Sequence, residues 1–375
     1  MSRQLAARAR RWVIKIGSSL ITADGQGLDH AAISAWCAQI AQLRKHNVEV
    51  VLVSSGAVAE GMVRLRMGQR PEVLHLLQAT AAVGQMGLIR AWEHGFCAHD
   101  LHAAQVLLTH DDVADRGRYL NARATLKALL KLGVVPVVNE NDTVSTDEIR
   151  LGDNDSLAAL TANLIDADLL VILTDQDGLF DADPRRHPDA KLVAERAVSD
   201  PALNAMAGDS KGELGRGGMR TKLSAARIAA RSGAATVLAN GGTSDVLMRI
   251  AKGDAVGTLL LADANPMGAR KRWIAGQLQS NGRLHLDAGA ARALAGSGKS
   301  LLPVGVRAAD GEFDRGDLVL CIGPSGEEIA RGLCNYGANE TRKLLGARRG
   351  EILSRLGYPG AEELIHRDNL VLASS

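Results

Sequence analysis

Short apolar runs alternate with longer stretches of helical periodicity from the start of the chain to about residue 265. Each run is rich in Val, Ile and Leu, as is typical of a strand that is buried on both faces. Because parallel strands need long crossover connections, this alternation predicts an α/β fold, with a mainly parallel sheet covered by helices. The predicted strands are residues 12–16, 48–53, 134–138, 169–173 and 236–238, and the predicted helices are residues 31–45, 120–132, 156–166 and 221–231.

The character of the sequence changes after residue 265. A connector-like segment is followed by short strand-like runs, and two of these, residues 318–322 and 329–333, flank a glycine-containing turn that predicts a hairpin. The segment DGEFDRGD predicts another turn. We therefore predict four segments along the chain: a main domain at 1–265, a connector at 266–280, a small β-rich domain at 281–360 and a C-terminal tail at 361–375.

Composition narrows the class of protein. Hydrophobic residues make up 46% and charged residues 23% of the chain, which is ordinary for a globular protein. The formal net charge of +2 is too small to indicate a nucleic-acid or membrane surface over the whole molecule. We find no signal peptide and no uninterrupted apolar stretch of about 20 residues, so we expect a cytoplasmic protein. The four cysteines are widely spaced without a CxxC pair, which predicts reduced thiols and no metal site.

The residues that follow the predicted strands are small or acidic, and ligands of open α/β sheets bind outside the carboxyl ends of the strands. Lys15 lies inside the first strand, where a buried ammonium group requires an anionic partner. Alternatively, that strand lies at the edge of the sheet and Lys15 faces water. The turn beginning at Gly17 favours a phosphate, because its backbone N–H groups are free to bind one.

Three more segments have both a structural and a functional interpretation. Ser54 to Ala57 lead from a strand into a helix, and can form a helix cap and an anion site at once. The clusters NEND at 139–142 and GDND at 152–155 either cap helices or recognise the ammonium group of a zwitterion. Asp155 in the second cluster either orients lysines or organises magnesium.

The segment GELGRGGMRTK at 212–222 is a glycine-rich loop with a lysine in the first turn of the following helix. A cation is unfavourable there unless a bound phosphate lies between it and the helix dipole, and the alternative is a flexible surface loop. The loop lacks the spacing of a dinucleotide fingerprint, so NAD is not expected. The segment GSGKS at 296–300 has Ala293 where a Walker A loop requires glycine, and is interpreted as a turn.

Together these segments resemble the glutamate 5-kinase (γ-glutamyl kinase) family of the amino-acid kinase superfamily. The resemblance is collinear over nearly the full length, and it is carried by VIKIGSSL, VVLVSSGAVAEG, LLTHDD, RYLNARATL, VPVVNENDTV, GDNDSLAAL, LTDQDGLF, the GGM-x-TK loop and GTL. From about Gly282 onward the chain resembles a PUA domain, a module of RNA-modifying enzymes that is also appended to many bacterial members of this family.

The resemblance implies the amino-acid kinase fold, an open three-layer sandwich with an eight-stranded, mainly parallel sheet, followed by a small β-rich PUA-like domain. It implies ATP-dependent phosphorylation of the γ-carboxylate of L-glutamate to L-glutamyl 5-phosphate, the first step of proline biosynthesis, with Mg²⁺ as cofactor. It further implies feedback inhibition by proline, a homo-oligomer (tetramer or dimer) and hand-off of the product to glutamyl phosphate reductase. Neither a membrane nor a nucleic acid is expected as a partner.

The family pattern also implies roles for individual residues. The expected catalytic residues are Lys15, Lys222 and Asp155. The expected amino-acid-binding residues are Ser55, Gly56, Ala57, Asp142 and Asn154. The expected nucleotide-binding residues are Lys15, Gly17, Thr174, Asp175, Arg216, Gly217, Gly218, Met219, Arg220, Thr221 and Lys222. Arg216 and Arg220 depart from the small residues of the family pattern, which puts the nucleotide affinity in question.

Two alternatives stay open on the sequence. Kinases of N-acetylglutamate, aspartate, carbamate and UMP share the nucleotide half of the fold, so the choice of acceptor rests on the segments NENDTV and GDND. The second alternative is an RNA-binding or RNA-modifying factor that uses the second domain and has a degenerate kinase half. The lysines of the kinase half are all present, and no aromatic-rich basic face is evident, which argues against that alternative.

Overall fold

The computed structural model describes residues 2–22, 27–145, 154–207, 218–262, 280–297 and 299–373. Contacts within the chain divide it into two compact units, one formed by Met1–Val113 and Ala122–Pro266 and the other by Ala114–Asn121 and Met267–Ser375. Among the helices in the described ranges, none combines the length and the hydropathy that crossing a membrane requires.

One sheet organises the first unit. Its strands are β1 (Arg11–Ile16), β2 (Glu49–Ser54), β3 (Ala103–Leu108), β4 (Val135–Glu140), β5 (Leu169–Thr174), β6 (Glu195–Ala197), β7 (Ala235–Asn240) and β8 (Thr258–Leu261). The order across this eight-stranded sheet is β3-β4-β2-β1-β5-β7-β8-β6. The strand pairs are parallel, except that β7 and β8 are antiparallel. The carboxyl ends of β3, β4, β2, β1, β5 and β7 therefore share one edge, and the predicted fold class is confirmed.

Helices connect and cover these strands. They are α1 (Arg3–Arg8), α2 (Ser18–Ile21), α3 (His30–Lys45), α4 (Ala57–Arg64), α5 (Leu74–Cys97), α6 (His110–Ala114), α7 (Arg116–Lys131), α8 (Asn154–Ile165), α9 (Ala202–Met206), α10 (Met219–Ala230) and α11 (Val246–Lys252). Every strand and helix predicted in this region is present. The sequence analysis did not predict the strands β3, β6 and β8 or the helices α1, α2, α5, α6, α9 and α11.

The central strand β1 carries Lys15 into the interior. Alternate side chains of β1, including Ile14 and Ile16, join a large apolar core with residues of α3 and α5. Lys15 points to the opposite face because side chains alternate along a strand. It is only 6% exposed, and α8 packs against the same strand. The alternative of an edge strand with Lys15 in water is therefore wrong.

Two glycines let α4 and α5 cross at backbone contact distance. A Cβ atom at Gly61 would lie 1.8 Å from the carbonyl oxygen of Thr80, and a Cβ atom at Gly84 would lie 1.8 Å from the carbonyl oxygen of Ala57. Since real Cβ contacts are far longer, only glycine fits at either position. The crossing places Gln85 of α5 beside the end of β4.

The second unit has its own sheet and core. Its strands are β9 (Gly282–Leu286), β10 (Val306–Gly311), β11 (Leu318–Ile322), β12 (Glu328–Leu333) and β13 (Leu370–Leu372), in the order β10-β9-β11-β12-β13. Its helices are α12 (Ala288–Ser297), α13 (Ala338–Leu344) and α14 (Ile352–Leu356), with short 3-10 turns at Pro303–Gly305, Arg349–Glu351 and Arg367–Asn369. β11 and β12 pair antiparallel, so the predicted hairpin is confirmed.

The end of the chain belongs to this second core. β13 pairs with β12, and Leu364, Ile365 and Leu370 are buried in the apolar cluster of the unit. The interpretation of residues 361–375 as a tail is therefore wrong for the described part of that segment. The segment GSGKS begins inside α12 and continues past its last residue, Ser297, with Gly298 outside the described residues. A phosphate loop would instead precede its helix.

Candidate active site

The predicted polar residues meet at the carboxyl edge of the first sheet. Ile16 of β1 pairs with Ser54 of β2 and with Leu173 of β5, and Thr174 pairs with Asn240 of β7. The backbone N–H of Gly17 donates to the carbonyl oxygen of Leu173 over 3.2 Å, so the prediction that it is free to bind a phosphate is wrong for this N–H group. The segments that leave β1, β2, β5 and β7 therefore lie side by side, where a ligand can contact several of them.

Lys15, Asp155 and Lys222 come from three different elements and form one buried cluster. The Lys15 Nζ atom lies 2.7 Å from Asp155 Oδ1, and Lys222 Nζ lies 3.3 Å from Asp155 Oδ2. The hydroxyl of Thr221 donates to Asp155 Oδ2 over 2.9 Å. Asp155 is 1% exposed and Lys222 is 5% exposed. Two buried ammonium groups thus share one carboxylate.

Local structure fixes the carboxylate between the lysines. Asp155 is the second residue of α8, where the helix dipole favours a negative charge. Lys222 and Thr221 lie in the first turn of α10, which begins after Gly218. Because α8 packs against both β1 and α10, the Asp155 carboxylate lies between the two ammonium groups.

The electrostatics of the cluster favour an anion. Burial would raise the pKa of Asp155, but the charges of Lys15 and Lys222 outweigh this effect and lower it. Burial lowers the pKa of Lys222, and the charge of Asp155 opposes the shift. With both lysines protonated the three side chains carry a net charge of +1. Two ammonium groups held close together at the sheet edge form a site that suits the oxygens of a phosphoryl group.

A second polar network begins next to Asp155. The Asn154 Nδ2 atom donates to Ser55 Oγ over 2.9 Å and to Asn139 Oδ1 over 2.9 Å. Asn139 Nδ2 in turn donates to Gln85 Oε1 over 2.7 Å, and the Gln85 Nε2 atom has no hydrogen-bond partner within the described part of the chain. These amides are buried, and each one limits the orientation of the next.

The helix start behind Ser55 depends on a glycine. Gly56 has φ = 104°, a left-handed conformation that residues with a Cβ atom rarely adopt. The chain can therefore turn sharply from β2 into α4, which begins at the buried residue Ala57. This turn brings Ser55 within reach of Asn154.

Two carboxylates, Asp142 and Glu140, lie at the exit of β4. Burial and the negative charge of Glu140 raise the pKa of Asp142 to about 7, although Arg70 opposes the shift. Glu140 is buried, accepts a hydrogen bond from the Ser145 hydroxyl over 2.6 Å, and lies 3.8 Å from His110 Nδ1. Asp142 is thus poised to lose a proton when a cation approaches.

The expected nucleotide residues are only partly described. Thr174 ends β5 and its hydroxyl donates to Asp175 Oδ1 over 3.0 Å. Met219 and Arg220 begin α10, with Arg220 exposed. Arg216 and Gly217 lie outside the described residues, as do Gly152 and Asp153 of the GDND segment.

Comparison with known proteins identifies the family. The model of the "Amino acid kinase family" matches residues 10–240, and that of the "PUA domain" matches residues 282–354. A protein named glutamate 5-kinase from Stutzerimonas stutzeri is 60% identical over 370 residues, which cover 99% of this chain and 100% of that protein. This chain belongs to the glutamate 5-kinase family. The resemblance predicted from the sequence is confirmed.

Other glutamate 5-kinases are similarly close. The one from Thioalkalivibrio sulfidiphilus is 61% identical over 371 residues, covering 99% of both chains. The one from Pseudomonas syringae pv. tomato is 60% identical over 364 residues, covering 97% of this chain and 98% of that protein.

Sequence reasoning missed the far side of the amide network. Gln85 and Trp92 both lie on α5, and Trp92 Nε1 donates to the Ser54 hydroxyl over 2.9 Å. A glutamine and a tryptophan in a helix carry no spacing signal, since their partners are distant in sequence. Gln85 and Asn139 are 54 residues apart. The glutamine next to the conspicuous glycine of the AVGQMG segment was the available clue.

Proposed function

We propose that the protein transfers the γ-phosphoryl group of ATP to the side-chain carboxylate of L-glutamate, giving L-glutamyl 5-phosphate, the first step of proline biosynthesis. The observation that carries the proposal is the buried cluster in which the Asp155 carboxylate lies between the ammonium groups of Lys15 and Lys222. Membership of the glutamate 5-kinase family supports glutamate as the acceptor.

The chemistry requires positioning and charge rather than a general base. The side-chain carboxyl group of glutamate in water has a pKa of about 4.3, so the nucleophile is already ionised at neutral pH. In-line phosphoryl transfer places negative charge on the oxygens of the moving group. Lys15 and Lys222 would stabilise that charge, and Asp155 would hold both ammonium groups in place before the substrates bind.

The two substrates would bind on either side of the cluster. Ser55, Asn154 and Asp142, with the turn at Gly56 and Ala57, would hold the amino acid. ATP would bind through Gly17, Thr174, Asp175 and the loop residues Arg216, Gly217, Gly218, Met219, Arg220, Thr221 and Lys222. In this arrangement, Arg216 and Arg220 would add positive charge beside the nucleotide.

Mg²⁺ would neutralise charge on the nucleotide phosphates when bound. Within the described residues, this edge of the sheet shows no group of three candidate protein ligands, and the one such group lies elsewhere. An arrangement of this kind fits Mg²⁺, which is commonly held by phosphates and water with one or two carboxylates. Asp175, an exposed carboxylate that directly follows β5, would be a protein donor to the ion.

The proposal is tested by trapping the acyl phosphate with hydroxylamine in the presence of ATP and Mg²⁺. We expect product with L-glutamate and not with L-aspartate or N-acetyl-L-glutamate, and less product when L-proline is added. Product with another acid alone would retain the phosphotransfer mechanism but reject glutamate. Absence of product with every acid would reject the kinase proposal.

The affinity for glutamate is expected to fall in acid because Asp142 becomes protonated. If its carboxylate binds the substrate ammonium group, kcat/KM for glutamate falls below the Asp142 pKa of about 7, approaching tenfold per pH unit. The glutamate side chain stays ionised over this range. Initial rates between pH 5.5 and 8 would measure the profile, and ATP should be saturating.

Asp142→Asn is the matched control for this profile. It is expected to lower kcat/KM at pH 8 and to remove the decline between pH 7 and pH 6. His110 Nδ1 lies 3.8 Å from Glu140 Oε2, so this carboxylate has a neighbour other than Asp142. A decline that persists unchanged in Asp142→Asn would assign the titration to another group and contradict the role of Asp142.

Gln85→Leu is expected to raise the KM for glutamate about 2–10-fold, because Asn139 Nδ2 loses its acceptor and the network loses one hydrogen bond. The KM for ATP should not change, since the nucleotide would bind on the other side of the cluster. Gln85→Glu retains an acceptor and should lie closer to the wild type. Equal increases in both KM values would indicate general damage instead.

Several further proposals follow from family membership. We propose a cytoplasmic homo-oligomer, a dimer or a tetramer, that is inhibited by proline and passes its product to glutamyl phosphate reductase. We also propose domain limits of 1–265 for the kinase domain, 266–280 for the connector and 281–373 for the PUA domain, extended to include β13.

A further inference from the structure

A glutamate, a cysteine and a histidine come together at the C-terminal end of α5. Cys97 Sγ lies 3.3 Å from Glu93 Oε1, and His102 Nδ1 lies 3.2 Å from the same oxygen. One candidate ligand atom from each residue lies within 4.8 Å of the other two. We infer that Glu93, Cys97 and His102 form a binding site for a borderline divalent metal ion such as Zn²⁺, separate from the kinase site.

The local fold brings these residues together. Glu93 and Cys97 are four residues apart on α5 and so occupy one face of the helix. The chain then turns back, and His102 immediately precedes β3. The carbonyl oxygen of His102 accepts a hydrogen bond from the backbone N–H of Val135 over 2.8 Å, which anchors this segment to β4.

The carboxylate is already oriented. The backbone N–H of Ala103 donates to Glu93 Oε2 over 2.6 Å, leaving Oε1 directed at Cys97 and His102. Hydrogen bonds of this kind hold metal ligands in position in known sites. Zinc bond lengths of about 2.0–2.3 Å with tetrahedral angles place ligand atoms about 3.4–3.6 Å apart. The observed separations from Glu93 Oε1 therefore need to change by only a few tenths of an ångström.

The donor set favours zinc-like ions over Mg²⁺. Thiolate and imidazole ligands suit Zn²⁺, whereas Mg²⁺ prefers oxygen ligands. The Cys97 thiol donates a hydrogen bond to Glu93 Oε1 over 3.3 Å. Metal binding would replace that thiol proton, which leaves to solvent, and three protein ligands would leave a fourth position for water.

The site lies away from the substrates. His102 and Ala103 are at the amino end of β3, and the kinase residues are at the carboxyl ends of the parallel strands. Cys97 is exposed, whereas Cys37, Cys321 and Cys334 are buried. A thiol reagent should therefore report on Cys97 first, and variants at this site should leave the kinase residues in place.

The test uses the full-length protein without a histidine tag. A chromophoric zinc chelator should report one Zn²⁺ bound per chain, and Zn²⁺ should slow the reaction of Cys97 with a thiol-reactive disulfide. In Glu93→Gln and His102→Ala the affinity for Zn²⁺ should fall at least about tenfold, and the protection of Cys97 should fall with it. Cys97→Ser should lose the bound ion. Millimolar Mg²⁺ should not protect the thiol.

His94→Ala is the matched control, because His94 is an exposed histidine on the same helix but is not part of the cluster. It should bind Zn²⁺ as the wild type does. Thermal unfolding in the absence of zinc would verify that each variant is folded. Failure of the wild type to bind Zn²⁺, or equal affinity in wild type, Cys97→Ser and His102→Ala, would overturn the inference.

Discussion

Replacing Lys222 by methionine is expected to lower kcat about 10²–10³-fold without lowering the free energy of unfolding. The ammonium group would stabilise charge on the transferred phosphoryl group, and methionine cannot replace it. Methionine keeps most of the buried volume of the side chain, so packing in the first turn of α10 is preserved. The ion pair between Lys15 and Asp155, at 2.7 Å, is left in place.

Steady-state kinetics and thermal unfolding of the same preparation test both halves of this expectation. Lys252→Met is the matched control, since Lys252 is exposed near the end of a helix of the same unit. It should change neither quantity. A Lys222→Met enzyme with nearly normal turnover would reject Lys222 as a phosphoryl-stabilising residue. A large loss of stability would show that Lys222 is needed for folding instead.

Asp155→Asn is expected to abolish measurable turnover and to lower the free energy of unfolding by about 3–5 kcal/mol. The carboxylate lies between two buried ammonium groups, and asparagine has the same shape without the charge. Both lysines would then lose the negative charge that they share. Asp189→Asn, at an exposed position in the same unit, is the control for losing a negative charge.

A double variant separates the electrostatic explanation from simple damage. Adding Lys222→Met to Asp155→Asn removes one of the two ammonium groups that repel each other once Asp155 is neutral, so the melting temperature should recover part of its loss. Because the two side chains are in contact, their effects are expected to be non-additive. If the double variant is less stable than Asp155→Asn, repulsion between the lysines is not the cause of the instability.

The sequence was informative about the sheet because burial on both faces leaves a clear signal. β1, β2, β4, β5 and β7 lie in its interior and appear as continuous apolar runs, whereas β8, also an interior strand, has only four residues and was missed. β3 and β6 lie at its edges, and their residues are largely not buried, which weakens the pattern. The missed helix α5 contains Gly84, Gly87 and Gly95, which disfavour a helix interior. In α5 the glycines allow neighbouring elements to pack closely against the helix. For example, a Cβ atom at Gly95 would lie only 2.7 Å from Cys37 Sγ.

The residues of the candidate site were predictable where charged or polar side chains lie in a buried strand or close to its end. Lys15 and Asp155 were found because a buried charge and a polar strand exit are both unusual. That these two residues lie near Lys222 could be expected from the shared edge of the sheet. The distances between the three side chains could not be predicted from the sequence. Gln85 could not be found, since only the crossing of α4 and α5 brings it to Asn139. The search for CxxC spacing likewise missed Cys97, whose neighbours are a glutamate and a histidine.

The glycine crossing of α4 and α5 also restricts how this enzyme can diverge. Backbone meets backbone at Gly61 and Gly84, so neither position can accept a side chain that would compensate for a change in the pocket. Gly84 meets the carbonyl oxygen of Ala57, the first residue of α4, and is itself followed by Gln85. We therefore expect substitutions that shift α4 along α5 to be strongly disfavoured, because any shift brings a residue with a Cβ atom to the crossing. A lineage that changes its acceptor is left with substitutions at the strand ends and inherits the helix pair unaltered.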